Sequence, residues 1–144
     1  MPYLDIWIHI VWATKGRKPL MTSDIRQEIF KHIRENAKTK NIYIDFINGY
    51  LEHVHCLVSL NADQSMAQIT RLIKGESSHW INKNYLTKTK FGWQDEYYAG
   101  SVSRSGLNRV REYIKNQETH HQHKTFDYEV DEFVRIYGFG RFKD

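Results

Sequence analysis

Hydrophobic and polar residues alternate in the first part of the chain, which predicts a half-buried β-strand over residues 3–12. Apolar residues then recur at helical spacing in the stretches that follow residues 22 and 65. Thr22 or Ser23 can cap the first helix, and Ser65 with Gln68 has the form of a capping box for the second. The apolar stripes consist of Ile25, Ile29, Ile33 and Ala37 in the first helix and of Met66, Ile69, Leu72, Ile73, Trp80 and Ile81 in the second.

Further elements follow in an order that suggests the fold. Strands are predicted at about 42–49, 53–60 and 96–103, a helix from about 106 to 121, and a short helix near 129–137. The order β-α-β-β-α-β predicts an α+β fold of the ferredoxin-like or RRM-like kind. Its antiparallel sheet would carry helices on one face and the 106–121 helix on the other. With no repeat or internal linker, residues 1–144 are predicted to form a single domain.

The predicted strand at 53–60 opens with the most informative motif of the chain, His53-Val54-His55. Side chains alternate along a strand, so both imidazoles project from one face while Val54 and Cys56 point to the other. Two imidazoles on one face can share a metal ion. Alone the motif is weak, because a second H-x-H pair, His121-Gln122-His123, occurs in the same chain.

A phenol and an amide on the 106–121 helix strengthen the prediction. Tyr113 and Gln117 are four residues apart and therefore share one helix face. The Gln117 amide oxygen can complete a hard, neutral metal site, and Tyr113 supplies an oxygen nucleophile. No glutamine stands four residues after any of the rival tyrosines Tyr97, Tyr98, Tyr128 and Tyr137. The histidines at the end of this helix, His120, His121 and His123, are interpreted as helix C-terminal cations.

In this order the motifs resemble those of the single-tyrosine HUH transposases of bacterial insertion sequences, the TnpA-like proteins. His53-Val54-His55 followed by Tyr113-Ile114-Lys115-Asn116-Gln117 is similar to the catalytic pattern of that family, without a visible departure. The resemblance covers nearly the whole chain. Its other segments are Ile8 to Leu20, Trp93 to Tyr97, Ser101 to Ser103, Gln117 to His121, and Phe126.

The resemblance implies a transposase that cleaves and rejoins single-stranded DNA at the ends of its element. Tyr113 would form a phosphotyrosine bond to the 5′ side and release a 3′-hydroxyl. His53, His55 and Gln117 would bind a divalent metal, Mg²⁺ or Mn²⁺. The resemblance also implies DNA hairpins as partners and a homodimer with shared active sites, in which the histidine pair comes from one subunit and the tyrosine helix from the other.

Charge and composition fit this function without requiring it. The formal charge of +4 mildly favours a polyanionic partner. Candidate phosphate-binding residues are Lys15, Arg17 and Lys18 in the first loop and Arg71, Lys74 and Lys83 on the second helix. The single cysteine, Cys56, excludes an internal disulfide and falls on the predicted core face. No signal peptide or long apolar span is visible, which predicts a cytoplasmic protein without a membrane segment.

Two other functions are open from the residues. A non-catalytic nucleic-acid-binding module of the same fold would explain the charge and the aromatic residues, but not the pairing of Tyr113 with Gln117. A metal-dependent nuclease that activates water would not need Tyr113. A covalent protein–DNA adduct distinguishes the transposase from both alternatives.

Overall fold

The computed structural model describes residues 2–121 and 124–137 of the chain. Within these residues, strands and helices succeed one another in the predicted order. The elements are β1 (Trp7–Thr14), α1 (Ser23–Thr39), β2 (Tyr43–Gly49), β3 (His53–Ser59), α2 (Met66–Lys83), β4 (Trp93–Val102), α3 (Leu107–Lys115), α4 (Gln117–His121) and α5 (Phe126–Tyr137). Ser65 caps α2 as predicted, since its hydroxyl accepts a hydrogen bond from the Gln68 amide at 3.1 Å.

The four strands form one antiparallel sheet in the order β2-β3-β1-β4. In the ladder between the two central strands, Val11 lies opposite His55 and Ala13 lies opposite His53. Residues directly opposite each other share a face of the sheet, so Val11, Ala13 and His9 lie on the face of the two histidines. The predicted ferredoxin-like plan is confirmed.

The other face of the sheet carries the main hydrophobic core. Strand residues there pack against the apolar stripes of α1 and α2. The buried set includes Ile10, Trp12, Val54, Cys56 and Val58 of the sheet, Ile29, Phe30 and Ile33 of α1, and Ile69, Ile73 and Ile81 of α2. Burial raises the pKa of the Cys56 thiol, which makes it an unreactive core residue as predicted. Leu72 was expected in the stripe of α2 but is 39% exposed.

The face of the histidines is covered by the elements that follow β4. Leu107 and Ile114 of α3 pack on Leu57 and Val102 of the sheet. Phe126, the first residue of α5, packs on Val11 and Ala13. The tyrosine-bearing helix therefore lies on the face opposite α1 and α2, as predicted. None of the helices in the described ranges is long and apolar enough to cross a membrane.

Two predicted elements differ in the structure for identifiable reasons. β1 begins at Trp7 rather than at residue 3, because Trp7 already pairs with Ser59 and Val102 at the ends of the neighbouring strands. The helix predicted for 106–121 is divided into α3 and α4. The Asn48 side-chain amide donates hydrogen bonds to the carbonyl oxygens of Ile114 and Lys115, at 3.0 and 3.1 Å. In a continuous helix these oxygens would accept hydrogen bonds from backbone amides of the next turn.

The last helix also begins earlier than the sequence indicates. It was predicted near 129–137, but α5 starts at Phe126. The hydroxyl oxygen of Thr125 accepts a hydrogen bond from the Tyr128 amide at 3.2 Å, so Thr125 acts as the N-cap. The earlier start adds a turn to α5 and places Phe126 against the sheet.

Candidate active site

The two histidines of β3 project together from the sheet, and neither has any exposed surface. His53 Nδ1 lies 2.7 Å from Glu52 Oε1. Burial raises the pKa of Glu52, but the hydrogen bond with His53 and the charges of His53 and His121 together lower the pKa below its usual value. The ionised carboxylate can only accept, so Nδ1 carries the hydrogen and Nε2 faces away. Glu52 thus orients a candidate metal ligand.

Gln117 meets His53 across the space between α4 and β3. Gln117 Oε1 lies 3.1 Å from His53 Nε2, and Gln117 is completely buried. The side-chain nitrogen of Gln117 donates to the carbonyl oxygen of Tyr113 at 3.3 Å. This bond fixes which end of the amide faces the histidine, so an oxygen atom is presented to the site. The structure therefore brings His53 and Gln117 together.

Tyr113 of α3 is partly buried beside the same group of side chains. Its ring centroid lies 5.5 Å from that of His55 and 5.3 Å from that of His120. Burial raises the pKa of Tyr113 above its usual range, and the negative charge of Glu129 raises it further. The side chain is thus a protonated phenol in this arrangement.

Glu129 of α5 is a central residue of the site that the sequence did not reveal. It is 1% exposed, and its Oε1 contacts His55 Nε2 and lies 3.4 Å from His53 Nε2. Burial alone would raise the pKa of Glu129, but hydrogen bonds with His121, His53 and His55 hold it far below its usual range. The carboxylate is therefore ionised. No local motif links it to histidines that are more than 70 residues away in the chain.

His9 of β1 was also missed, although the alternation of β1 placed it on the face opposite Ile8 and Ile10. Its Nε2 lies 2.9 Å from His55 Nδ1. Burial lowers the pKa of His9 well below its usual value and brings that of His55 to about 4. For His53 the hydrogen bonds with Glu129 and Glu52 outweigh burial and raise the pKa. His9 and His55 are therefore neutral near pH 7.

The interpretation of His120 and His121 as helix C-terminal cations is wrong. Both turn inward to Glu129 Oε2, which lies 3.0 Å from His120 Nε2 and 2.7 Å from His121 Nε2. The side chain of His121 is 2% exposed and stacks on the ring of Tyr50. A buried carboxylate attracts them more strongly than solvent does, because it would otherwise be an unpaired buried charge. His123 lies outside the described residues.

The donor atoms around His53 suit a divalent cation. Its Nδ1 is occupied by Glu52, while Nε2 faces the oxygen atoms of Gln117 and Glu129. The ligand atoms of His53, His55 and Glu129 all lie within 4.8 Å of one another. A nitrogen lone pair that faces oxygen acceptors is stabilised only by a proton or a cation between them. The set of imidazole nitrogens and oxygen atoms therefore fits a metal such as Mn²⁺.

Comparison with known proteins identifies the family. Residues 3–117 of the chain match the family model described as "Transposase IS200 like", which covers well over half of the chain. The chain belongs to the IS200-like transposase family. The ISDra2 transposase TnpA of Deinococcus radiodurans is 22% identical to it over 114 residues, 76% of this chain and 81% of that protein. The predicted family is thus confirmed.

Two solved structures share the fold. A provisionally assigned transposase from Deinococcus radiodurans R1 has a TM-score of 0.65 and 20% identity, and the match covers 81% of this chain and 95% of that one. A REP-associated tyrosine transposase bound to a REP hairpin has a TM-score of 0.61 and 18% identity, with 100% and 94% of the two chains covered. Both likenesses support the α+β architecture of this transposase-family chain.

The predicted phosphate-binding residues fall into two separate groups. Lys15, Arg17 and Lys18 follow β1, whose last residue, Thr14, donates a backbone hydrogen bond to Glu52 next to the site. Arg17 forms an ion pair with Asp127 and lies over the ring of Phe126, 4.9 Å from its centroid. The second group, Arg71, Lys74 and Lys83, lies on α2 across the sheet. Lys74 donates there to backbone carbonyl oxygens of β4.

The predicted catalytic residues lie together within the single chain that the structure describes. Gln117 contacts His53 of its own chain, and Tyr113 lies beside His55 of its own chain. The tyrosine helix is fixed there by Ile114, which is completely buried against the sheet. The sharing of the site between two subunits stays a prediction.

Proposed function

We propose that this transposase-family chain cleaves and rejoins single-stranded DNA through a covalent phosphotyrosine at Tyr113. The divalent cation, Mg²⁺ or Mn²⁺, would be held by His53, His55 and Gln117. The observation that carries the proposal is the contact between Gln117 and His53, which joins the tyrosine-bearing segment to the histidine pair. The family match and the likeness to a tyrosine transposase support it.

The reaction exchanges one phosphodiester for another. The phenolic oxygen of Tyr113 bonds to phosphorus, the bond from phosphorus to the 3′-oxygen breaks, and that oxygen takes a proton to leave as a 3′-hydroxyl. The DNA on the 3′ side of the break stays joined to the tyrosine through its 5′-phosphate. Strand joining reverses these steps, since a 3′-hydroxyl attacks the phosphotyrosine and the phenol is released. No ATP is needed, because each step makes as many phosphate ester bonds as it breaks.

The chain's own residues prepare this site. A bound divalent cation would polarise the scissile phosphate and offset its negative charge. Glu52 and His9 hold the imidazoles of His53 and His55, and the Tyr113 carbonyl holds the amide of Gln117. Such fixed orientation avoids reorganisation during the reaction.

Access to the histidines depends on α5. Phe126 stacks on His53 with 4.1 Å between ring centroids, and Glu129 contacts His55. Since neither histidine has exposed surface, side chains of α5 such as Phe126 must shift before a phosphate can reach a cation held by the histidines. α5 is therefore the element that has to yield to the substrate.

Single-stranded DNA with a hairpin is the proposed substrate. The relative that was solved with a REP hairpin supports this class of partner. Lys15 and Lys18 are exposed in the loop beside the histidine end of the sheet, which suits them to contact phosphates near the cleaved bond. Arg71, Lys74 and Lys83 lie on α2, on the other face of the sheet, away from the bond that is cleaved.

Covalent trapping tests the proposal. Hairpin oligonucleotides taken from repeats that flank the gene, labelled at the 3′ end, are incubated with the protein and Mn²⁺ and run on a denaturing gel. The expected result is a labelled protein adduct that is lost in Tyr113→Phe, which should still bind the oligonucleotide. Tyr128→Phe, on an exposed tyrosine of α5, is the matched control and should form the adduct.

The other outcomes identify other functions. An adduct in Tyr113→Phe would show that another residue attacks. Cleavage by the unaltered protein without an adduct would indicate a nuclease that activates water, and binding without cleavage would indicate a non-catalytic module.

A further inference from the structure

We propose that His120, His121 and Glu129 form a second cation site, distinct from the one at His53, His55 and Gln117, and that it takes a divalent transition-metal ion. The site joins α4 to α5 through side chains that are neither the nucleophile nor the cation ligands proposed above. The proposal concerns cation binding alone and stands whether or not Tyr113 attacks DNA.

The three side chains converge on one point. His121 Nε2 lies 2.7 Å and His120 Nε2 lies 3.0 Å from Glu129 Oε2. The ligand atoms of the three residues are all within 4.8 Å of one another. Two imidazoles and one carboxylate are the ligand set of many iron, cobalt, manganese and zinc sites, and they leave further positions for water. Mg²⁺ prefers sites made of oxygen atoms alone, so it is the poorer fit.

The hydrogen bonds of His121 direct a lone pair into this point. Its Nδ1 lies 2.9 Å from the carbonyl oxygen of Lys124, which can only accept a hydrogen bond. The hydrogen is therefore on Nδ1, and Nε2, which lies 2.7 Å from Glu129 Oε2, is the nitrogen that could bind a cation in place of a proton. Carbonyl partners of this kind orient histidines at metal sites.

His120 supplies an independent sign of a missing partner. Its Nε2 is buried and makes no hydrogen bond, although Glu129 Oε2 lies 3.0 Å away. Buried polar atoms without a hydrogen bond are rare in folded proteins. A cation between His120, His121 and Glu129 would give this nitrogen a partner.

The two oxygens of Glu129 keep the sites distinct. Oε1 faces His53 and His55, whereas Oε2 faces His120 and His121. One carboxylate can thus contribute an oxygen to each of two neighbouring cations. A cation at the second site would fasten α5 to α4 beside Tyr113, whose ring lies 5.3 Å from that of His120.

Cobalt binding tests the proposal, because Co²⁺ reports its ligands through visible absorption. Metal-free protein is titrated with Co²⁺ by calorimetry, and the spectrum is followed in parallel. The full chain should bind two equivalents, and His53→Ala/His55→Ala should keep one. His120→Ala/His121→Ala should lose one equivalent together with part of the absorption. The control His79→Ala removes an exposed histidine of α2 and should still bind two equivalents.

Each remaining outcome decides against the second site. A single equivalent in the unaltered protein that is lost in His53→Ala/His55→Ala would show that His120, His121 and Glu129 hold no cation of their own. Unchanged stoichiometry in His120→Ala/His121→Ala would place the cobalt elsewhere. If circular dichroism shows that this double variant does not fold, the single variant His120→Ala replaces it, since His120 is the more exposed of the two. Full binding by a folded His120→Ala, with an unchanged spectrum, would likewise overturn the proposal.

Discussion

His9 Nε2 lies 2.9 Å from His55 Nδ1. Through this contact β1, which carries no predicted catalytic residue, orients one of the two histidines of the His53-Val54-His55 motif. The carboxylate of Glu129 contacts the other nitrogen of His55, Nε2. Because this carboxylate is ionised, it accepts hydrogen bonds and cannot donate one. In this arrangement His55 Nε2 carries the hydrogen and Nδ1 accepts one from His9. A cation at His55 Nε2 would require the reverse, with Nδ1 donating to His9. An imidazole at position 9 can serve in both directions.

We therefore predict that position 9 must offer both a donor and an acceptor. His9→Phe should raise the Mn²⁺ concentration needed for half-maximal adduct formation by about 10- to 100-fold, the usual effect of removing a residue that orients a metal ligand. His9→Gln, whose amide can donate or accept, should restore most of the affinity. The measurement is a Mn²⁺ titration of adduct formation for each variant. Equal Mn²⁺ requirements for Phe and Gln at this position would show that His9 only fills space.

Loss of a motif histidine should stop the reaction without unfolding the chain. His55→Ala is expected to abolish adduct formation, and excess EDTA should do the same to the unaltered protein, because both remove the cation that offsets the phosphate charge. Far-UV circular dichroism and a gel assay of the labelled hairpin measure fold and activity. His79→Ala, an exposed histidine on α2, is the control and should stay active. Full adduct formation in EDTA would favour a mechanism without metal.

Subunit mixing tests whether two subunits share the site. If each site is built within one chain, as the contacts of Gln117 with His53 and of Tyr113 with His55 in this chain suggest, mixing should not restore activity. In a mixture of His53→Ala/His55→Ala protein with Tyr113→Phe protein, each chain lacks one part of its own site. We expect adduct formation to stay at background after the two variants have been denatured together and refolded. Unaltered protein taken through the same treatment controls for refolding. Recovery of a substantial share of its activity would show that subunits exchange the tyrosine helix.

Ile114 should contribute strongly to stability, because it is completely buried where α3 packs on the sheet. Ile114→Ala is expected to lower the free energy of unfolding by about 2–5 kcal/mol, through lost apolar burial and the cavity that is left. Leu72→Ala, at a position 39% exposed on α2, should cost clearly less. Urea unfolding followed by circular dichroism measures both values. Similar losses for the two variants would mean that α3 is only loosely attached.

The sequence predicted those parts of the site that follow from local spacing. Alternation along β3 placed His53 and His55 on one face and Cys56 on the other, and the structure agrees. The four-residue interval between Tyr113 and Gln117 put both beside the histidines, even though α3 ends at Lys115. Strand and helix periodicities are properties of the backbone, so neighbours in the chain carry them.

Only the tertiary structure could reveal the partners that come from distant segments. Glu129 reaches the histidines because Phe126 packs on Val11 and Ala13, and this packing brings the first turns of α5 over the sheet. His9 meets His55 because of the register of β1 with β3. Asn48, which lies on β2, interrupts the tyrosine-bearing helix between α3 and α4 by its hydrogen bond to the carbonyl oxygen of Ile114.

The sequence by itself therefore determined the elements of this protein, their order and the faces of its motif residues. The tertiary structure decided that Gln117 meets His53, and that a carboxylate from the last helix lies among four histidines. The reason is that periodic patterns specify which side of an element is buried. They do not specify which distant element covers that side, and here the covering helix, α5, supplies the charged carboxylate of Glu129.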